Sequence, residues 1–283
     1  MGEFLRARRA ALNPVDVGVV SYGQRRVSGL RREEIALLAG LSVTYYTRLE
    51  QGHSRNASES VIAALANALR LDDVERGHLF DLARVPRAKL APRGEPDLAR
   101  LGTVRLLESM TEIPAVLLGK RTEILAWNGL GRELVGWYLP VDAPGRPSCR
   151  PNLTRMLFLD AETRALYTDW RGEASRAVAS LRLLSGRFAD DPELSALVGE
   201  LTLNSSDFAA MWSQHPVGNC MSGVKFMQHP RAGELELDFE VLSMPDHSGH
   251  RMLTYTAAPG SVFVDRVAAL RLPADVTPPT AGG

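Results

Sequence analysis

Four side chains in the stretch GLSVTYYTRLEQG, residues 40 to 52, fall on one face if that stretch is helical: Val43, Thr44, Thr47 and Arg48. A branched methyl, two hydroxyls and a guanidinium suit the DNA major groove. Arg48 is able to make a bidentate contact to guanine, Thr44 to bond a base edge or a phosphate, and Val43 to pack on a thymine methyl. Ser42 and Tyr45 border this face, and the loop residues His53, Arg55 and Asn56 follow it within reach of the same strand. Arg31 and Arg32 open the preceding helical pattern, where they would lie near phosphates.

Other chemistries find weaker support. The loop DHSGH, residues 246 to 250, offers Asp246, His247 and His250 to a metal, but a His-x-x-His in a turn lacks the single-face register of a helical zinc motif. There is no G-x-S-x-G, no phosphate-binding P-loop and no G-x-G-x-x-G after a strand. Asp190 and Asp191 begin a helical pattern, where they complement the helix dipole and need not share a proton. Cys149 and Cys220 are too few and too far apart for a disulfide framework or a zinc knuckle, which suits a reducing compartment. The expectation is therefore no catalytic site, no metal and no cofactor. No run of eighteen apolar residues occurs, and the N-terminal MGEFLRARRAALNP has arginines where a signal peptide needs an apolar stretch. A cytoplasmic protein without membrane contact is expected.

These side chains need a frame. Residues 3 to 12 place Phe4, Leu5, Arg8 and Leu12 along a stripe that stops at Asn13-Pro14. Residues 30 to 39 turn Ile35, Ala36, Leu38 and Ala39 inward, Gly40 breaks the helix, and Ser42 supplies the cap of a second helix that Gly52 ends. Residues 58 to 69 bury Val61, Ile62, Leu65 and Leu69, and Asp72 with Glu75 forms a capping box before the next helix. Five short helices with a three-residue turn between the second and third make an all-α domain over residues 1 to 84.

The segment VPRAKLAPRGEP, residues 85 to 96, carries three prolines and a glycine and reads as a linker. Beyond it the period changes. PAVLLG and EILAWN form a hairpin, a long helical block runs from about Ala161 to Ser185 with shorter ones at 191–202 and 205–213, and three strand patterns follow. Residues 97 to 272 thus predict an α+β domain with an antiparallel sheet and helices on one face, and residues 273 to 283 a loose tail. Trp127, Trp170, Phe208, Trp212, Phe226 and Tyr255 either line a cavity between sheet and helices or fill a core, and periodicity does not separate the two. Net charge is zero, yet residues 1 to 93 hold 15 Lys and Arg against 10 Asp and Glu, the asymmetry expected when one domain meets a polyanion. Thirty of the 33 basic residues are arginine, which suits a GC-rich bacterial genome as well as it suits phosphate contacts.

The run GLRREEIALLAGLSVTYYTRLEQG, followed by VIAALANALRL, resembles the helix-turn-helix of Cro/repressor-type (XRE-family) regulators. Together with LFDLAR, EILAWN, MLFLD and AAPGS, it resembles the MmyB-like regulators over about residues 3 to 272. The resemblance implies a DNA-binding N-terminal domain and a PAS-like C-terminal domain holding a small, fatty-acid-like ligand. It places Val43, Thr44 and Arg48 as base readers and Arg32 at the backbone or an outer base. It pairs Glu50 with an arginine of the first helix, for which Arg8 is the best-placed candidate. Val43 departs from the family in having no hydrogen-bonding group, so readout there is apolar, and the stretch from Asn13 to Gly29 is longer than in the shortest repressors. The expectation is a repressor acting as a homodimer on a palindromic duplex operator. A constitutive regulator whose second domain only dimerises, and a ligand-processing enzyme with a DNA-binding module, stand beside it.

Overall fold

The computed structural model describes residues 1–19, 29–53, 57–83, 97–218, 220–246 and 248–271. The expected linker and tail, together with Arg55, Asn56 and His247, lie outside the described residues. By its contacts the chain forms two compact units. The first gathers the described residues of Met1–Ala91 with Val178–Ala196 and Ala209–Asn219; the second gathers those of Pro92–Ala177, Leu197–Phe208 and Cys220–Gly283.

The N-terminal part of the first unit holds α1 (Gly2–Ala11), α2 (Arg32–Leu38), α3 (Val43–Glu50), α4 (Glu59–Ala68) and α5 (Asp73–Ala83). Their shared core is Phe4, Leu5, Ile35, Tyr46, Leu49, Ile62, Leu65 and Leu79. The α2–α3 turn is made by Gly40, whose φ of 66° is open to glycine at little cost, and the Leu41 N–H donates to the Ala36 carbonyl at 2.8 Å. Ser42 Oγ then accepts from the Tyr45 N–H at 3.2 Å and starts α3. Asp72 and Glu75 close the capping box reciprocally, at 2.8 and 3.2 Å. Leu38, expected inward, is instead 39% exposed beside the fully outward Leu37. A seven-residue helix closes its inner face with Ile35, Ala36 and the capping Ala39, and Leu38 rotates to the rim.

The second unit opens with α6 (Leu101–Ser109), then β1 (Ala115–Leu118), β2 (Ile124–Trp127) and α7 (Gly129–Val135). Next come α8 (Leu153–Leu159), α9 (Ala161–Leu166) and α10 (Trp170–Arg187), followed by α11 (Pro192–Asn204) and α12 (Ser206–Ser213). Strands β3 (Ser222–His229), β4 (Gly233–Ser243) and β5 (Arg251–Thr256) and helix α13 (Val262–Ala269) complete the described chain. The strands form one antiparallel sheet in the order β2-β1-β5-β4-β3. The single helix expected from 161 to 185 is two, because Tyr167 leaves helical geometry to bridge Met227 of the edge strand β3. The Thr168 N–H donates to the Phe226 carbonyl at 3.1 Å beside it.

Burial in β4 alternates, with Leu235, Leu237 and Phe239 inward and Glu234, Glu236, Asp238 and Glu240 outward. On the covered face Phe158 meets Trp170 and Phe208 edge-on, with centroids 5.7 and 5.1 Å apart. Lys225, inward on β3, pairs with buried Glu173 of α10 and lies 4.5 Å from the Phe239 ring centroid. Burial alone would neutralise Glu173, but Lys225, with Arg176 at 2.9 Å, holds its carboxyl below the usual range.

Candidate nucleic-acid interface and ligand cavity

Helix α3 is clamped on one face and bare on the other. Tyr46 and Leu49 are fully buried, while Ser42, Val43, Thr44 and Arg48 are exposed and Tyr45 and Thr47 half-buried. Arg48 and Arg31 are exposed and make no ion pair with another described residue, and His53 is exposed just past the helix.

The clamp is Glu50. Its side chain is wholly buried and accepts from Arg9 through both oxygens at 3.0 Å, and from Arg32 at 2.9 and 3.1 Å, with Arg6 3.6 Å away. Burial pulls this carboxyl upward, but hydrogen bonds from Arg9 and Arg32 outweigh that and hold it below its ordinary value. One carboxylate thereby ties α1, α2 and α3 together. The crowding is close: a side chain at Gly2 would place its Cβ 2.2 Å from the Glu50 carbonyl oxygen.

One expectation is corrected here. Arg8 is not the partner of Glu50. One residue of helix is about 100° of rotation, and Arg9, one turn after buried Leu5, points at α3 while Arg8 reaches Glu75 at 2.6 Å and the His215 carbonyl at 2.9 Å. Arg32, expected at a phosphate or outer base, also joins the Glu50 clamp through Nε and Nη2, while its side chain stays 41% exposed. A basic residue at the N-terminus of α2 was visible in the sequence; that a buried carboxylate would claim it was not.

The second unit contains a cavity of about 740 Å³. Leu130, Trp137, Val141 and Leu270 supply apolar wall, while Arg132, Arg231 and Arg271 bring positive charge that Glu108 and Glu133 offset in part. Asn128 anchors the wall from behind. Its Oδ1 accepts from the Ala115 and Gly131 N–H groups at 3.1 and 2.7 Å, and its Nδ2 donates to the Met110 and Ile113 carbonyls at 2.7 Å. Glu133 is held between Arg132 and Arg231. Beneath it His229 donates from Nε2 to the Glu133 carbonyl at 2.8 Å while Nδ1 accepts from the Arg231 and Ala232 N–H groups, which fixes a neutral ring. Burial lowers the His229 pKa to the same effect.

None of the six aromatic residues expected to line a cavity lines this one. Trp170, Phe208 and Tyr255 are core, Trp127 ties β2 to the Val141 carbonyl at 3.0 Å, and Trp212 lies in the first unit under Arg182. Phe226 is 51% exposed on the open face of the sheet, because the register of β3 turns Lys225 and Met227 inward. The cavity is built at helix ends and turns, where periodicity carries no signal. The metal reading of residues 246 to 250 finds Asp246 paired with Arg100 at 2.9 Å and His250 with Asp97 at 2.7 Å, and no metal-binding cluster among the described residues.

Residues 1–79 match a helix-turn-helix domain, and residues 99–270 match the MmyB-like transcription regulator ligand binding domain. The chain belongs to the MmyB-like transcription regulator family. No curated protein matches it. In this MmyB-like chain α2 and α3 fall inside the helix-turn-helix match, and the cavity walls from Met110 to Leu270 fall inside the ligand-domain match. The pairing of these two domains is that of a DNA-binding transcription regulator. Both matched families are regulator domains and neither is an enzyme family. No helix of the described residues is long and apolar enough to cross a membrane.

Proposed function

We propose that this protein is a cytoplasmic, sequence-specific repressor of the XRE type that releases DNA on binding a small amphiphile. The observation that carries the DNA-reading half is the two-faced character of α3: Tyr46, Leu49 and Glu50 fix the helix from within and leave Val43, Thr44 and Arg48 exposed. In this reading Thr44, Thr47 and Arg48 contact bases and Val43 packs on a thymine methyl. Arg31, Ser42, Tyr45 and His53, with Arg55 and Asn56 beyond the described residues, contact the backbone. Arg32 serves the Glu50 clamp and reaches the backbone or an outer base from its exposed edge. One such module makes too few base contacts for strong specificity, so two copies read a palindromic operator with half-sites about 34 Å apart. Enrichment of duplexes from a random-sequence pool tests this: a palindromic consensus supports it, and recovery of no consensus sinks it.

The ligand half rests on the 740 Å³ cavity, whose apolar walls and arginines suit a molecule with an alkyl body and an anionic head, such as a fatty acid. A domain that only paired copies would not require that cavity. The ligand acts by binding one arrangement of the protein better than another, lowering operator affinity by that difference. Native mass spectrometry of the purified protein checks the ligand half: an added mass lost on denaturation supports it, while an unmodified mass together with no shift on titration of a long-chain fatty acid rejects it.

A further inference from the structure

A second polar cluster in the first unit is assembled differently from the Glu50 clamp. His78 of α5 is 3% exposed and packs its ring on α10 at Gly186, where a Cβ would lie 2.6 Å from both ring Nδ1 and Cε1. The ring of Phe4 meets it edge-on at 5.1 Å. Arg182, one turn before Gly186 on α10 and 8% exposed, stacks 3.8 Å from the Trp212 ring centroid and donates to the Trp212 carbonyl and to His215 Nδ1. Arg8 of α1 completes the ring of contacts through the His215 carbonyl and Glu75. Val217 packs against the core shared by α1 to α5.

Two properties make this junction weak. His78 Nδ1, Arg182 Nε and Arg8 Nε are buried without a hydrogen-bond partner, and each such group carries an uncompensated desolvation cost. The charges that act on the His78 ring are also of like sign. The groups around His78 are the Met1 amino group and Arg8 from α1, Arg182 from α10 and His215 after α12, with Glu75 of α5 engaged by Arg8 and Glu3 of α1 acting on Arg182 and His215. Burial and the Arg182, Met1 and Arg8 cations leave the His78 ring neutral, with its pKa pushed down to about 4, and burial with Arg182 lowers that of His215.

We propose that the contact of α1 and α5 with the C-terminal half of α10 and the 209–219 segment is a detachable clasp, shut at neutral pH and opened by mild acid. Residues 178–196 and 209–219 lie within the ligand-domain match, so the clasp fastens helix-turn-helix residues to residues of the sensing domain. It goes beyond the proposed function, because neither an operator nor a ligand is needed for it to open. The sign follows from linkage. A histidine depressed in the closed state and ordinary in the open one favours opening as pH falls below about 6.5, and at pH 5.5 the opening constant is about tenfold larger than at pH 7.5.

Hydroxyl-radical footprinting with mass spectrometry reads this on the full chain. Oxidation of Trp212, His78 and Val217 is expected to rise severalfold from pH 7.5 to 5.5, while Phe208 and Tyr255 stay protected. Gly186→Ala, whose methyl meets the His78 ring but suits a helix, is expected to expose Trp212 and Val217 already at pH 7.5. His78→Leu combined with His215→Asn removes both depressed rings and keeps Trp212 and Val217 at pH 5.5 as accessible as they are at pH 7.5. Unchanged accessibility of Trp212 and Val217 in the unsubstituted protein at pH 5.5 overturns the clasp, and so does an acid response that persists in the doubly substituted protein. These arms hold even if Gly186→Ala does not fold.

Discussion

Glu50 and His78 sit in the same unit, at the end of α3 and within α5, and both are buried polar groups ringed by arginine. Glu50 has its oxygens filled by Arg9 and Arg32, and three helices close on it. His78 leaves a nitrogen unpaired, as do Arg182 and Arg8 around it. The first arrangement penalises every departure from one geometry; the second starts with a deficit that opening relieves. Buried charge therefore fixes helix α3, while around His78 it leaves polar groups without partners. The contrast shows that the number of buried polar groups says little about rigidity until their partners are counted.

The comparison is broken hardest at Glu50. Glu50→Gln is expected to cost about 3–5 kcal/mol of folding stability by leaving Arg9 and Arg32 against a neutral amide, measured by urea unfolding. A loss under about 1 kcal/mol would place Glu50 with ordinary surface pairs. Next comes acid. The depressed His78 pKa withdraws up to about 3 kcal/mol from the closed first unit as pH falls from about 6.5 toward 4, and unfolding of the His78→Leu protein should lack that part of the pH dependence. Arg48→Ala, on the bare face, should cost about 1–3 kcal/mol of binding to the selected operator and relax preference at one position, whereas Arg31→Ala should weaken all duplexes and flatten the salt dependence. Equal losses on operator and random DNA from Arg48→Ala would remove it from base reading. The smallest effect is expected at Phe226→Ser, within about 0.5 kcal/mol in thermal unfolding, because the ring faces solvent.

Much of the frame was legible in the sequence because it is written locally. Gly40, Ser42 and the Asp72–Glu75 box mark helix ends through groups only a few residues apart, and alternation along Leu235, Leu237 and Phe239 marks a half-buried strand. The choice of Arg9 over Arg8 was not legible, since both border the apolar stripe of α1 and only the packing of α1 on α3 separates them. Phe226 was misplaced for a related reason: an aromatic residue in a strand is read as inward until the register of its neighbours, Lys225 and Met227, is known. The cavity draws on turns from Met110 to Arg271, too far apart in the chain for any spacing to reveal.

The bridge from Tyr167 and Thr168 to β3 also bears on how the protein behaves when crowded. An edge strand carrying exposed Val224 and Phe226 is the kind of surface along which copies stack into fibres. Here Thr168 occupies the Phe226 carbonyl, and the outward acids of β4 set like charge against an approaching copy. Two residues between helices thus act as a stopper on strand-to-strand growth. Their replacement by proline would show first as turbidity at high concentration, while the bare face of α3 stayed intact.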